Sequence, residues 1–228
     1  MRTVLITGTS SGIGLKIAED FLNQGMTVIG LSRTKSPIEH ENFINHCINL
    51  SDYNATEHLI KSLLKEHNIS ILVNNAGVGY YGLCEELNPS KIHEIISTNL
   101  EAPIVLSALL LRQFKKNNGI IINISSVTAA KSNPHGAAYG ASKAGLSNFG
   151  SSIFDEARKH GVRVITIEPD MTDTNLYRNA DFTCSTEEGC YLSPDEVSDA
   201  VNYAINSGCV THITLKPQFH RIARKEKQ

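Results

Sequence analysis

The apolar positions along the chain fall into two alternating textures. Short branched runs without polar alternation occur at Thr3–Thr7, Thr27–Leu31, Phe43–Leu50, Ile69–Val73, Ile120–Ile124 and Val162–Ile167. Runs of that length and make-up predict strands buried on both faces. Between them, apolar residues recur three and four apart, the period of a helix with one buried face. The first set is Ile13, Ile17, Ala18, Phe21 and Leu22, closed by Gly25; the second is Ala55, Leu59, Ile60, Leu63 and Leu64. A long helix opens at Asn88-Pro89 and runs to about Lys116, with Pro103 predicting a kink inside it. Another runs from about His135 to Lys159, and a last one follows Ser193-Pro194 with Val197, Ala200, Val201 and Ala204 on its face. His212–Leu215 is a candidate final strand.

Alternating strands and helices of this kind predict an α/β fold: a doubly wound, Rossmann-type parallel sheet with helices on both faces, in a single domain spanning 1–228. Ligands of such sheets bind beyond the carboxyl ends of the strands. Residues 171–192 have no clear period and follow a strand, where a substrate lid is expected. Residues 221–228 are short and basic and read as a flexible tail.

Composition narrows the function. The 228 residues are 41% apolar and 19% charged with a net charge of −2, so a packed core is expected and a basic face for nucleic acid or anionic membrane is not. No uninterrupted apolar run approaches the roughly 20 residues of a membrane span. Five cysteines without paired spacing, and histidines without a ligand set, predict free thiols, no metal site and a cytoplasmic location.

The first strand runs through Thr7-Gly8-Thr9-Ser10-Ser11-Gly12-Ile13-Gly14 directly into a helix. Glycines allow a sharp turn and close backbone approach to a phosphate, and the helix start offers unpaired N–H groups to a pyrophosphate. No Gly-Lys-Ser/Thr follows, which disfavours a nucleoside triphosphatase. The spacing Gly-x-x-x-Gly-x-Gly resembles that of the short-chain dehydrogenase/reductase family, and further matches follow in order along nearly the whole chain. Asn74-Asn75-Ala76-Gly77 follows the fourth strand, Asn99 lies in the long helix, and Ser126 ends the fifth strand. Tyr139-Gly140-Ala141-Ser142-Lys143 comes thirteen residues after Ser126.

The resemblance implies a catalytic set of Asn99, Ser126, Tyr139 and Lys143. Tyr139 and Lys143, four apart on a helix, share a face. The ammonium, with the charge of an oxidised nicotinamide, is expected to lower the phenol's pKa so that Tyr139 serves as general acid and base. Lys143 would also bind the nicotinamide ribose, Ser126 (preferred over Ser125 by its spacing) the substrate oxygen, and Asn99 a water linking Lys143 to solvent. The implied cofactor contacts are Gly8, Ser10, Ser11, Gly12, Ile13 and Gly14 in the turn, Asn49 and Leu50 at the adenine, Asn75, Ala76 and Gly77, then Tyr139, Lys143, Pro169 and Thr174. No acid lies between Asp20 and Glu39 to accept a ribose 2′-OH, whereas Ser32 and Arg33 can hold a 2′-phosphate. NADP(H) is therefore the expected cofactor, with NAD(H) possible.

The chain departs from the family pattern at Ser11, where many NADP-preferring members are basic, at Asn49 in place of the usual Asp, and at Asp170 in place of glycine. The expected reaction interconverts a carbonyl compound and an alcohol, a small-molecule alcohol or ketone being the partner. Leu176, Tyr177, Phe182 and Tyr191 in the lid, with Tyr80, Tyr81 and Cys84 opposite, are candidate substrate walls. A homodimer or homotetramer through the helices of Asn99 and Tyr139 is expected. Two alternatives stand beside this: a non-catalytic dinucleotide sensor or partner-binding protein of the same fold, and a lyase or epimerase.

Overall fold

Strands β1 (Thr3–Thr7), β2 (Thr27–Ser32), β3 (Phe43–Cys47), β4 (Ile69–Asn74), β5 (Ile120–Ile124) and β6 (Arg163–Pro169) lie parallel in one sheet, completed by β8 (His212–Leu215). The computed structural model describes residues 2–219 and 221–225. The order β3-β2-β1-β4-β5-β6-β8 reverses between β1 and β4 and puts every carboxyl end on one edge. A crevice at that reversal is where such folds bind ligands.

The central strands β1, β2, β4 and β5 are largely apolar because both of their faces are covered. Val4 and Ile6 point to a layer with Ile17 and Phe21 of α1 (Gly12–Asn23) and Val197 and Val201 of α6 (Pro194–Ser207), all without exposure. Leu5 and Leu72 point the other way, to Ile60 of α2 (Tyr53–Glu66) and to Leu106 and Phe114 of α4 (Ala102–Asn117). Each such side chain contributes about 1.5–3 kcal/mol of hydrophobic stabilisation. Helix α5 (Ala137–Ala157), which carries Tyr139 and Lys143, lies in the second layer, where Ala157 is buried.

Three expectations need correcting. The long helix is interrupted before Pro103 rather than kinked at it: α3 (Pro89–Ile96) passes through a π turn at Ser97–Glu101 into α4, which carries the proline in its first turn. A proline there lacks an N–H the ladder would need, and the wider turn just ahead accommodates it while rotating Asn99 into the interior. The stretch Pro89–Asn117 is long and apolar enough to cross a bilayer, yet Ile95, Leu106, Leu110 and Phe114 are fully enclosed by protein. The third strand stops at Cys47, because Asn49 turns the chain by accepting from Ser51 N (3.2 Å) and Asp52 caps α2 by accepting from Ala55 N (3.0 Å). The basic tail is anchored over the residues described. Ile222–Arg224 forms β9, antiparallel to β7 (Phe182–Cys184) inside the expected lid, and residues 226–228 lie outside the described residues.

At the sheet reversal the backbone of α1 meets the turn below it at Gly14. A Cβ there would lie 2.2 Å from Asn75 Nδ2 and 2.3 Å from the Gly8 carbonyl oxygen. Gly14→Ala is therefore expected to cost about 1–3 kcal/mol through overpacking. Urea denaturation reads this as a lower midpoint at unchanged slope; an unaltered midpoint would contradict the close approach.

Candidate active site

The glycine turn is braced before anything binds to it. Gly8, at φ +79°, donates its N–H to Leu31 O (2.7 Å). Thr7 Oγ1 accepts from the N–H groups of Asn75 (3.0 Å) and Ala76 (2.9 Å), and Asn75 Nδ2 donates to Thr7 O (2.9 Å). The ends of β1 and β4 are thus tied together. Ser11 precedes α1 without capping it by its side chain, so the first N–H groups of that helix stay open to the cleft.

A cleft of about 540 Å³ runs along the carboxyl edge. All of the sequence-chosen cofactor contacts line it except Gly14, which serves the helix–turn approach. Ser126, Tyr139 and Lys143 line it too, while Asn99 stands behind it. The sequence reading did not single out Leu31, Thr34, Ile48, Val78, Thr98 or Ile124 as contacts. Each sits within two residues of a chosen one, so nearness in sequence to the chosen residues was the available signal.

On α5, Tyr139 and Lys143 share one face as expected, with Lys143 Nζ 5.7 Å from the Tyr139 ring centre. Lys143 is only 4% exposed and donates to Ile124 O (2.8 Å) at the end of β5. Ser126 lies beside the Tyr139 phenol, close enough to lower its pKa, and its hydroxyl accepts from Thr128 N (3.2 Å). Ser125 is engaged elsewhere, donating to Lys143 O (3.0 Å) and accepting from Ser147 (2.8 Å). Asn99 uses its amide to fix Val78, accepting from its N–H (2.8 Å) and donating to its carbonyl (2.9 Å), and donates to Ser142 Oγ (3.1 Å). Both amide hydrogens are thereby used within the protein, and the side chain ties the loop after β4 to α5.

The expected acidic phenol is not a property of these residues alone. Burial pushes Tyr139 up to about 12, against a lowering effect of the neighbouring Ser126. Burial likewise lowers Lys143 to about 8. In each case the group's own desolvation, which disfavours its charged form, is the leading cause. Tyr139 therefore holds its proton at neutral pH, poised as a donor.

The far end of the cleft departs in detail from expectation. Ser32 Oγ spends its hydrogen on Thr34 O (2.7 Å). Arg33 is paired with Glu94 of α3 (2.9 Å), which also accepts from Tyr80 OH (2.7 Å). Asp170 caps its own loop, accepting from Met171 N (2.9 Å). The residues nonetheless suit a dinucleotide: an open helix start, a glycine backbone facing it, and a guanidinium half-exposed at the distal end.

The stretch expected to be a lid is held by the residues near the C-terminus. Lys225 Nζ donates to Tyr177 O (2.7 Å) and Arg178 O (3.3 Å), and Lys225 N donates to Asp181 O (2.8 Å). Phe219 N donates to Gly189 O (2.9 Å), and Arg221 pairs with Glu187. Of the candidate walls, Tyr81 packs on Tyr139, and Tyr177 and Phe182 pack on Tyr81 and on each other. Cys84 is exposed and Tyr80 is turned to Glu94.

Comparison with known proteins agrees with this geometry. A family model described as short chain dehydrogenase matches residues 2–183. The 3-oxoacyl-(acyl-carrier-protein) reductase FabG of Buchnera aphidicola is 32% identical over 217 residues, covering 88% of each chain. An alcohol dehydrogenase from Thermococcus sibiricus, complexed with 5-hydroxy-NADP, superposes with a TM-score of 0.86 at 25% identity, over 97% of this chain and 98% of its own. A 4-hydroxyisoleucine dehydrogenase complexed with NADH has the same fold, with a TM-score of 0.85 at 24% identity over 95% of this chain and 98% of its own.

The buried ammonium has a measurable signature. Below about pH 8 Lys143 is charged in both folded and unfolded chains, and its burial penalty is fully felt. Between about 8 and the ordinary value of 10.5 the unfolded chain binds the extra proton, so this group makes stability rise with pH. Lys143→Met is therefore expected to show a stability advantage over the parent that is largest below about pH 8 and shrinks toward pH 10. Chemical denaturation of both proteins across that range checks this; a difference independent of pH would contradict it.

Proposed function

The chain belongs to the short-chain dehydrogenase/reductase family and is an enzyme of that class; we propose that it is an NADP(H)-dependent oxidoreductase interconverting a ketone or aldehyde and an alcohol, with Tyr139 as the proton donor and acceptor. The observation that carries this reading is the convergence of Ser126, Tyr139 and Lys143 at one end of a cleft whose other end is a braced glycine turn.

A bound nicotinamide dinucleotide supplies the hydride. The chain's residues handle the oxygen and the proton. Ser126 and Tyr139 present two hydroxyls to the carbonyl oxygen, where negative charge grows during reduction. Tyr139 gives up its proton to that oxygen, and the reverse transfer serves alcohol oxidation. Lys143, still largely charged at pH 7 with a pKa near 8, stabilises the phenolate left behind. Ile124 O keeps the ammonium in register, and Asn99 keeps the loop after β4 against α5.

NADP(H) is favoured by Arg33 and by the lack of an acid at the end of β2, and the Thermococcus relative's 5-hydroxy-NADP agrees. The Arg33–Glu94 pair is half-exposed and worth about 0–1 kcal/mol, so a 2′-phosphate can displace the carboxylate. Self-association through the outer face of α4, which leaves Ile104 exposed, and a cytoplasmic location complete the reading.

Tyr139→Phe is expected to reduce turnover by about 10²–10⁴-fold while changing cofactor affinity far less. A carbonyl panel followed by NADPH absorbance, with binding measured separately, checks this; undiminished turnover would refute the role of the phenol. Arg33→Ala is expected to weaken NADPH binding about 10–100-fold, the worth of a charged hydrogen bond, and NADH binding little. Equilibrium titration of both cofactors decides it, equal losses removing the assignment.

A further inference from the structure

Resting on the reading that this chain uses NADP(H), we propose that Glu94 is a specificity-determining residue of the cofactor site: its carboxylate competes with the 2′-phosphate for Arg33 and so narrows the preference for NADP(H) over NAD(H). Arg33 lines the cleft at the end of β2, and Glu94 reaches its guanidinium from α3, with Oε1 2.9 Å from Nη1. The second carboxylate oxygen accepts from Tyr80 OH (2.7 Å) in the loop after β4. Each oxygen of Glu94 therefore has its own partner, and one of the two partners is the cation on which the cofactor assignment rests.

The carboxylate is held where it stands. Asn88 caps α3 by accepting from Lys91 N (3.0 Å), and Glu94 lies in the last turn of that helix. Beyond it, Ser97 Oγ donates to His93 O (2.7 Å) and lies 3.1 Å from Ser51 Oγ, while Thr98 Oγ1 lies 3.3 Å from the same Ser51 oxygen. Ser51 directly follows Asn49 and Leu50, which line the cleft, so the end of α3 is tied to the wall beside Arg33. The bond to Glu94 raises the Tyr80 phenol above its ordinary value of 10, while Arg178 and Arg33 act to lower it. Both arginines that line the cleft thus feel the Tyr80–Glu94 pair. A carboxylate already fixed by a phenol and by its helix loses little freedom in holding a guanidinium.

The effect falls on one cofactor. A 2′-phosphate draws its affinity from the guanidinium's charge and forked donors, and beside Glu94 it meets a cation already neutralised and a like charge within reach. A ribose 2′-OH is neutral and makes neither demand. The side chains of Arg33 and Glu94 are 54% and 30% exposed, so the pair is a weak competitor that trims the preference without reversing it.

The test is equilibrium titration of NADPH and NADH, without substrate, on the parent, Glu94→Gln, Arg33→Ala and the double variant Arg33→Ala/Glu94→Gln. Glutamine keeps the length of the side chain and an oxygen for Tyr80, so the charge is the main loss. Glu94→Gln is expected to tighten NADPH binding about three- to tenfold and to change NADH binding by less than about twofold. Adenosine 2′-monophosphate is expected to show the same gain as a competitor, and adenosine 5′-monophosphate to show none. In the Arg33→Ala background the gain from Glu94→Gln is expected to fall within about twofold, since the contested cation is gone. Unchanged or weaker NADPH binding by Glu94→Gln would overturn the inference, showing a carboxylate that is idle or that braces Arg33. Equal tightening of both cofactors, or a gain that persists without Arg33, would overturn it as a general charge effect. In each of these cases a selective loss of NADPH in Arg33→Ala leaves the NADP(H) reading standing. Equal losses of both cofactors in Arg33→Ala would remove that reading and the inference with it.

Discussion

An ammonium held out of water against the last carbonyl of a strand organises this molecule. Lys143 is anchored to Ile124 O, and a buried charge survives only where its donors find partners. The carbonyl is available because β5 ends there, one residue before the serines. The same junction is reinforced from behind: Ser125 bonds the Lys143 carbonyl, Ser147 bonds Ser125, and Ser147 also donates to the buried Glu168 at 2.8 Å. α5 is thus fastened to the carboxyl ends of β5 and β6 by polar contacts on both sides of its reactive face. Tyr139, one turn earlier on the same helix, inherits that placement.

The cleft is a second consequence of strand ends lying on one edge. Where the order reverses, the neighbouring strands β1 and β4 send the chain to helices on opposite faces of the sheet, and the gap between those departures must be closed without filling it. Thr7 and Asn75 close it by exchanging main-chain and side-chain hydrogen bonds, and Gly14 lets α1 descend onto them. The π turn performs the matching task on the other side. It brings Asn99 inward so that one amide group holds both the loop after β4 and α5. Turn, loop and helix are therefore positioned relative to one another by the protein itself, which is the preorganisation a hydride-transfer site requires.

Much of this was legible in the sequence because burial on both faces leaves a plain mark. β1, β4 and β5 stand where their continuous apolar runs lie, and the motif residues fall at their ends. The reading failed where geometry has no composition of its own. Phe182–Cys184 and Ile222–Arg224 are three-residue strands whose partners are distant in sequence, so neither carries a period. The π turn was hidden because one extra residue per turn leaves helical spacing nearly unchanged, while Pro103 drew attention to itself. Arg33 was recognisable as a cation at the right strand end, but its partner Glu94 lies sixty-one residues away on α3. Tyr81 and Phe182 were visible as aromatic candidates, and only folding packs Tyr81 on Tyr139 and Phe182 on Tyr81.

The phenol's burial gives the site a direction. A tyrosine whose proton is bound more tightly than in water is a ready donor to a developing alkoxide and a reluctant base toward a neutral alcohol. The residues around it are arranged for the first task. On the proposed reading, Ser126 would share the substrate oxygen and Lys143 would be the countercharge for the phenolate. Running the reaction toward oxidation demands that the phenol lose its proton first, and within this chain Lys143 is the cation placed to assist. With its pKa lowered by burial to about 8, Lys143 loses part of its charge as the pH rises above neutrality, and that assistance weakens in alkaline solution. On the proposed reading, the positive charge of an oxidised cofactor would then add to that of Lys143 in releasing the phenol's proton.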